Sequence, residues 1–199
     1  GNEMSVDVLL FTGMAAYANT VRDFGDKPVY ETRSRTSGTY RIATYIREEF
    51  DLDVEVIDFI FSWTLDELKE ICRSRIGPDT RMVGIGGIFF LSAPVCIQLF
   101  EWVKQQYPHV TTIAGSQDIW SISQIPNIDY YVTGYGELDV KAVLEGNPIY
   151  RDFQMFPHMP KIKNVDCWRT KEYNAYPWPI LTINYEKRDF IIPEEVLSF

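Results

Sequence analysis

Few residues in this chain are of a type and spacing that could do chemistry. Cys72, Cys96 and Cys167 stand apart, with no CxxC or CxxxCxxC spacing, and neither His109 nor His158 has a second ligand type near it in sequence. That pattern argues against a zinc or iron–sulfur site built by the protein itself. GxSxG is absent, and no cysteine has a histidine placed by local sequence to activate it. GxxxxGK[ST] is absent too, which removes the phosphate-binding P-loop. What remains is glycine at the ends of apolar runs. Met82-Val83-Gly84-Ile85 stops at Gly86-Gly87, Val110 to Ala114 stops at Gly115-Ser116, and Tyr130 to Thr133 stops at Gly134-Tyr135-Gly136-Glu137. Glycine there lets backbone N–H groups approach a phosphate, an amide or a ring closely.

These clusters must be placed by the elements around them. Short apolar runs without polar alternation are the signature of strands buried on both faces. Val6 to Phe11 is the first, ending at Thr12-Gly13, followed by Val54 to Asp58, Met82 to Ile85, Val110 to Ala114 and Tyr130 to Thr133. Helices alternate with them. Ser37-Gly38 opens one over Thr39 to Phe50, and Thr64 with Glu67 forms a capping box for one starting at Leu65. Pro94 marks the first turn of a third, Val95 to Gln106. Gly136-Glu137 begins a fourth through Leu144, and Ser116 to Ser123 reads as a short helical connection. The expected fold is α/β, a Rossmann-like five-stranded parallel sheet flanked by helices over residues 4–146. In such a sheet ligands bind outside the carboxyl ends of the strands, so the loops at Thr12-Gly13, Gly86 to Phe89, Gly115-Ser116 and Thr133 to Glu137 should line one cleft. The long connection from Met14 to Ser37 reads equally as a lid or as an insertion packed on one edge.

Bland readings compete for several of these residues. Loops between helix and strand need glycine anyway; three clusters on one edge nonetheless favour ligand contact. Gly84-Ile85-Gly86 and Gly134-Tyr135-Gly136 give only two glycines of a dinucleotide fingerprint, with Phe89 and Asp139 in the third place, which argues against an NAD site. A receiver domain would need aspartate and lysine where Gly86 and Thr133 stand. Glu137, in a first helical turn, reads as a complement to the helix dipole before it reads as a base, and Asp58 as a strand-end residue bonding local backbone.

The whole chain has 199 residues, 46% of them hydrophobic, and a formal net charge of −9 from 28 acidic and 19 basic residues. That balance repels nucleic-acid backbones. No run approaches the roughly 18 apolar residues of a membrane span and no leader precedes the first strand. Few scattered cysteines fit a reducing compartment, so a cytoplasmic location is expected. After Pro148 the composition changes: Pro157, Pro160, Pro177, Pro179 and Pro193 accompany Trp168 and Trp178. Residues 147–199 thus read as a linker or arm that packs through its aromatics on another body. Left uncovered, it would be the least ordered part or a site of self-association.

The ordered set of local patterns resembles the cobalamin-binding domain at the N-terminus of radical S-adenosylmethionine enzymes. Ser37 to Ala43 is similar to that family's glycine-led first helix, Val54 to Asp58 to its second strand, and Trp63 to Leu68 to the segment that follows. Val83 to Gly86 matches its third strand and mouth, Ile113-Ala114-Gly115 the start of its paired-glycine loop, and Val132 to Glu137 its GxGE turn. The resemblance implies cobalamin held by Thr12, Gly13, Ser37, Gly38, Gly86, Gly87, Ile88, Phe89, Gly115, Ser116, Thr133, Gly134, Tyr135, Gly136 and Glu137. It implies no catalytic residue and no protein metal ligand in this chain. Ser116 departs from the usual second glycine, and Gln117-Asp118 stands where the family often has His-Pro. The DxHxxG loop of cobalamin carriers, whose histidine ligates cobalt, is absent, as it commonly is in the radical members. Trp178 to Phe199 resembles the connector into the family's barrel, but no CxxxCxxC follows. The expectation is a non-catalytic domain of a methyltransferase-like enzyme. Its iron–sulfur cluster and S-adenosylmethionine would belong to a radical SAM barrel in cis or on a separate chain. The alternative is a cofactor-free α/β regulatory or interaction module.

Overall fold

The computed structural model describes residues 4–13, 37–60, 63–87, 94–116, 123 and 125–165. Seven strands form one sheet: β1 (Val8–Thr12), β2 (Val54–Ile57), β3 (Met82–Gly86), β4 (Thr111–Ser116), β5 (Tyr130–Thr133), β6 (Tyr150–Phe153) and β7 (Ile162–Val165). Four helices accompany them among the described residues: α1 (Ser37–Phe50), α2 (Leu65–Arg75), α3 (Pro94–Gln106) and α4 (Glu137–Leu144). The strand order is β2-β1-β3-β4-β5-β7-β6, parallel throughout except that β6 runs antiparallel to β7.

Alternation along β1 sets up two cores. Leu9 and Phe11 face the layer built by α2 and α3, with Leu68, Cys72, Leu99 and Phe100 buried against them. Val8 and Leu10 face the layer of α1 and α4, with Tyr40, Ile46, Leu138 and Val140. The sheet is therefore wound doubly, and the direction of winding reverses between β1 and β3. That reversal leaves a crevice at the carboxyl ends of these two strands, the usual ligand position in open α/β sheets.

The sheet has seven strands where five were expected. The five are all found; β6 and β7 are added within the segment read as an arm, so the sheet continues past Gly146. Their sequences, Tyr-Arg-Asp-Phe and Ile-Lys-Asn-Val, lack an apolar run: β6 is an outer strand with mostly exposed residues, and in β7 the exposed Lys163 interrupts the buried Ile162, Asn164 and Val165. Pro157 and Pro160 fall in the connection between them, where no ladder N–H is required. Residues 166–199, most of the expected arm, lie outside the described residues. So do most of the Met14 to Ser37 connection and most of the Ser116 to Ser123 connection.

Two boundaries moved inward to the site. β3 includes Gly86 and β4 includes Gly115 and Ser116, so these are strand residues rather than loop residues. Pairing on both sides carries the ladder past the end of the apolar run.

The capping box at α2 forms as the local sequence dictates. Thr64 Oγ1 accepts from the Glu67 N–H at 3.2 Å, and Glu67 Oε1 accepts from the Thr64 N–H at 2.8 Å. Replacing Thr64 by alanine leaves a helix N–H without its acceptor and is expected to cost about 1 kcal/mol. Urea unfolding measures this; an unchanged midpoint would mean that the cap contributes nothing here.

Candidate functional site

Parallel pairing brings the predicted strand ends to one edge. Thr12 is in register with Gly86, Gly86 with Gly115, and Ser116 with Thr133. The start of α1 closes over this edge: Thr39 Oγ1 donates to Thr12 Oγ1 at 3.1 Å, and Thr12 Oγ1 donates to the Gly86 carbonyl at 2.9 Å. This chain ties α1 to the ends of β1 and β3, at the crevice itself.

The glycines at this edge differ in what surrounds them. A Cβ on Gly86 would lie 2.7 Å from Thr39 Oγ1, so this glycine exists to let α1 approach. Among the described residues a Cβ on Gly115 would meet nothing nearer than the Val132 carbonyl at 3.8 Å, so none of them covers its backbone. Gly134 has a φ of 74° and no described residue within 4 Å of a Cβ, and its N–H donates to the Ser116 carbonyl at 2.9 Å. Gly136 is tight against Val132 Cγ1 at 3.0 Å and Ile42 Cδ1 at 3.5 Å, and caps α4 without a side-chain hydrogen bond.

Glu137, the first residue of α4, is 1% exposed. Its Oε1 accepts from Arg41 Nε of α1 at 3.3 Å, while its enclosed Oε2 has no hydrogen-bond partner among the described residues. The Arg41 guanidinium lies 5.8 Å from the ring centroid of Tyr135, which is itself well exposed. Thus the starts of α1 and α4 meet at the carboxyl edge, with Arg41 and Glu137 between them. The remaining predicted residues fall at the same edge with less detail. Gly13 is buried directly after β1, Gly38 is exposed in the first turn of α1, and Gly87 has a φ of 73° directly after β3. Ser37 opens α1; Ile88 and Phe89 lie outside the described residues.

Two functional features were missed in the sequence. Arg41 sits in an ordinary amphipathic helix and only its contact with Glu137, 96 positions away, gives it a place at the edge. Tyr40, one residue earlier, is fully buried and its hydroxyl donates to Asp58 Oδ2 at 2.5 Å. Asp58 Oδ1 accepts from the Phe59 N–H at 2.6 Å, and the Asp58 carbonyl accepts from the Trp63 indole at 2.9 Å. Asp58 is thus a strand-end residue bonding local backbone, as read from the sequence, and it also fastens α1 to the end of β2.

No group of three or more histidine, cysteine, aspartate or glutamate side chains that could hold a metal ion occurs among the described residues. Both histidines are remote from the carboxyl edge: His109 Nε2 lies 3.0 Å from the Gly77 carbonyl, and His158 stacks on Phe156 in the connection between β6 and β7. Burial pushes the thiols of Cys72 and Cys96 far up, so both stay protonated and unreactive at neutral pH. Among the described residues no helix is long and apolar enough to cross a membrane. Comparison of the chain with models of known protein families finds no match, and comparison with curated proteins finds none.

Proposed function

We propose that this chain is a cobalamin-binding domain of the kind carried by radical S-adenosylmethionine enzymes. It would hold the corrinoid over the carboxyl ends of β1, β3, β4 and β5 and present it to a catalytic barrel formed by other residues than these 199. The observation that carries this reading is the backbone at Gly115, open among the described residues, next to the crevice where the winding reverses and where small residues, Thr12 and Gly86, end the flanking strands. A flat, bulky ligand needs such a stretch free of side chains. Ser116, Thr133 and Gly134 continue the edge beside it. When bound, cobalamin supplies a cobalt centre for methyl transfer or related radical chemistry. The chain's own part would be to bind and orient it. The iron–sulfur cluster and S-adenosylmethionine belong to the barrel. The net negative charge and scattered cysteines suit a cytoplasmic domain without a nucleic-acid partner.

Titration with hydroxocobalamin, followed by its visible absorbance, tests the reading directly. Saturable spectral change is expected with the natural chain. Gly115→Val is expected to weaken binding by about tenfold or more, because its methyls enter the open stretch, while the unfolding midpoint stays close to that of the natural chain. Equal affinity in the variant would count against a ligand at Gly115. No spectral change with the natural chain would favour the cofactor-free regulatory or interaction module.

A further inference from the structure

We infer that Arg41 receives an anionic group of the ligand, a phosphate ester, on its Nη1 and Nη2 nitrogens at the carboxyl edge of the sheet. That the ester is the phosphodiester of a corrinoid's nucleotide tail rests on the cobalamin reading; the role of Arg41 toward an anion does not.

Arg41 is neither a free surface arginine nor half of a closed ion pair. Its side chain, in the second turn of α1, is only 25% exposed. Its Nε donates to Oε1 of Glu137, the first residue of α4, at 3.3 Å. An arginine and a carboxylate in their strongest pairing meet as two forks, two nitrogens on two oxygens. Here the contact uses Nε and one oxygen, and neither Nη1 nor Nη2 has an acceptor among the described residues. Neither of them is enclosed without a partner, as Glu137 Oε2 is, so both stay accessible. The Glu137 contact therefore holds the guanidinium by its inner nitrogen and leaves the outer pair to something else. On its other side the guanidinium lies 5.8 Å from the ring centroid of Tyr135, which is 62% exposed. Tyr135 follows Gly134, whose N–H is bonded to the Ser116 carbonyl, so this ring and the guanidinium over it belong to the edge where β4 and β5 end. Held at two places, the fork is ordered before a ligand arrives, which lowers the cost of binding. Its planar pair of nitrogens matches two oxygens of a phosphate. The start of α4 beside it has no side-chain cap and favours negative charge. A chain of net charge −9 otherwise repels anions, so a phosphate ester needs a local donor of this kind.

Three proteins are compared: the natural chain, Arg41→Lys, which keeps the charge without the fork, and Arg41→Gln, which removes the charge. The corrinoid probes are hydroxocobalamin and cobinamide, which has the same ring without the phosphodiester and the nucleotide. Hydroxocobalamin is expected to bind Arg41→Gln about tenfold or more weakly than the natural chain, with Arg41→Lys between them. Cobinamide is expected to bind all three alike, and cobinamide phosphate, which restores the phosphate alone, should bring back the dependence on Arg41. If Arg41→Gln does not fold, Arg41→Lys carries the same comparison. Equal weakening of hydroxocobalamin and cobinamide would show a purely structural role and overturn the inference. Hydroxocobalamin binding that is equal in the natural chain and the variants would overturn it too. If the natural chain binds no corrinoid, the cobalamin reading falls and calorimetric titration with inorganic pyrophosphate decides the role of Arg41 alone. Pyrophosphate binding that the variants weaken upholds it; binding that is absent, or equal in all three, overturns it.

Discussion

Replacing Arg75 by leucine is expected to cost about 3–5 kcal/mol of folding stability. Alternation along β2 sends Val54 and Val56 to the α1 and α4 layer and Ile57 to the opposite core, and Glu55 goes with Ile57. A carboxyl side chain only 4% exposed thus sits on a face that is otherwise apolar. Arg75, in the last turn of α2 and 12% exposed, brings its Nε to 3.3 and 3.2 Å from the two Glu55 oxygens. Removing the guanidinium takes both of these contacts from a carboxyl that stays enclosed, and that desolvation, rather than the attraction itself, makes the loss large. A double-mutant cycle separates the two. Arg75→Leu with Glu55→Leu is expected to recover most of what Arg75→Leu loses, because the enclosed carboxyl is then gone as well. Urea unfolding of the three variants gives the answer; a single variant that loses less than about 1 kcal/mol would show that Glu55 is adequately held by its other contacts.

Gly84→Val is expected to cost about 3 kcal/mol, in contrast to the same change at Gly115. β3 lies between β1 and β4, and Leu10, Gly84 and Ile113 form one row across the three strands. Leu10 and Ile113 both pack in the α1 and α4 layer and meet over the glycine. A Cβ there would stand 2.7 Å from Ile113 Cγ2 and 2.9 Å from Leu10 Cδ2, closer than packed carbons come. Valine adds two further methyls, so one neighbour must leave its place. Trimming Leu10 to alanine in the Gly84→Val background should return part of the loss by vacating that space. Equal unfolding midpoints for Gly84→Val and Gly115→Val would sink this distinction between a packed and an open glycine.

What the sequence determined by itself was local. Short apolar runs, most of them stopped by glycine, placed β1 to β5, helical spacing and caps placed the helices between them, and Thr64 with Glu67 gave the start of α2 to the residue. These signals are legible because each rests on contacts within one or two turns or along one strand. Parallel chain direction then placed Thr12, Gly86, Gly115, Ser116 and Thr133 at one edge without further information. Tertiary structure decided the rest. β6 and β7 are strands because β5 offers an open edge, not because their polar sequences demand it. Gly84, Gly86 and Gly115 read alike as glycines in or after an apolar run, yet one is packed under two side chains, one admits α1 and one is open. Each outcome depends on which residue of a distant element stands opposite: Leu10 and Ile113, Thr39, or, among the described residues, nothing but the Val132 carbonyl. Arg41 with Glu137 and Tyr40 with Asp58 were out of reach for the same reason. A side chain's partner across a sheet edge is chosen by strand order and helix placement, and neither leaves a trace in the spacing of neighbouring residues.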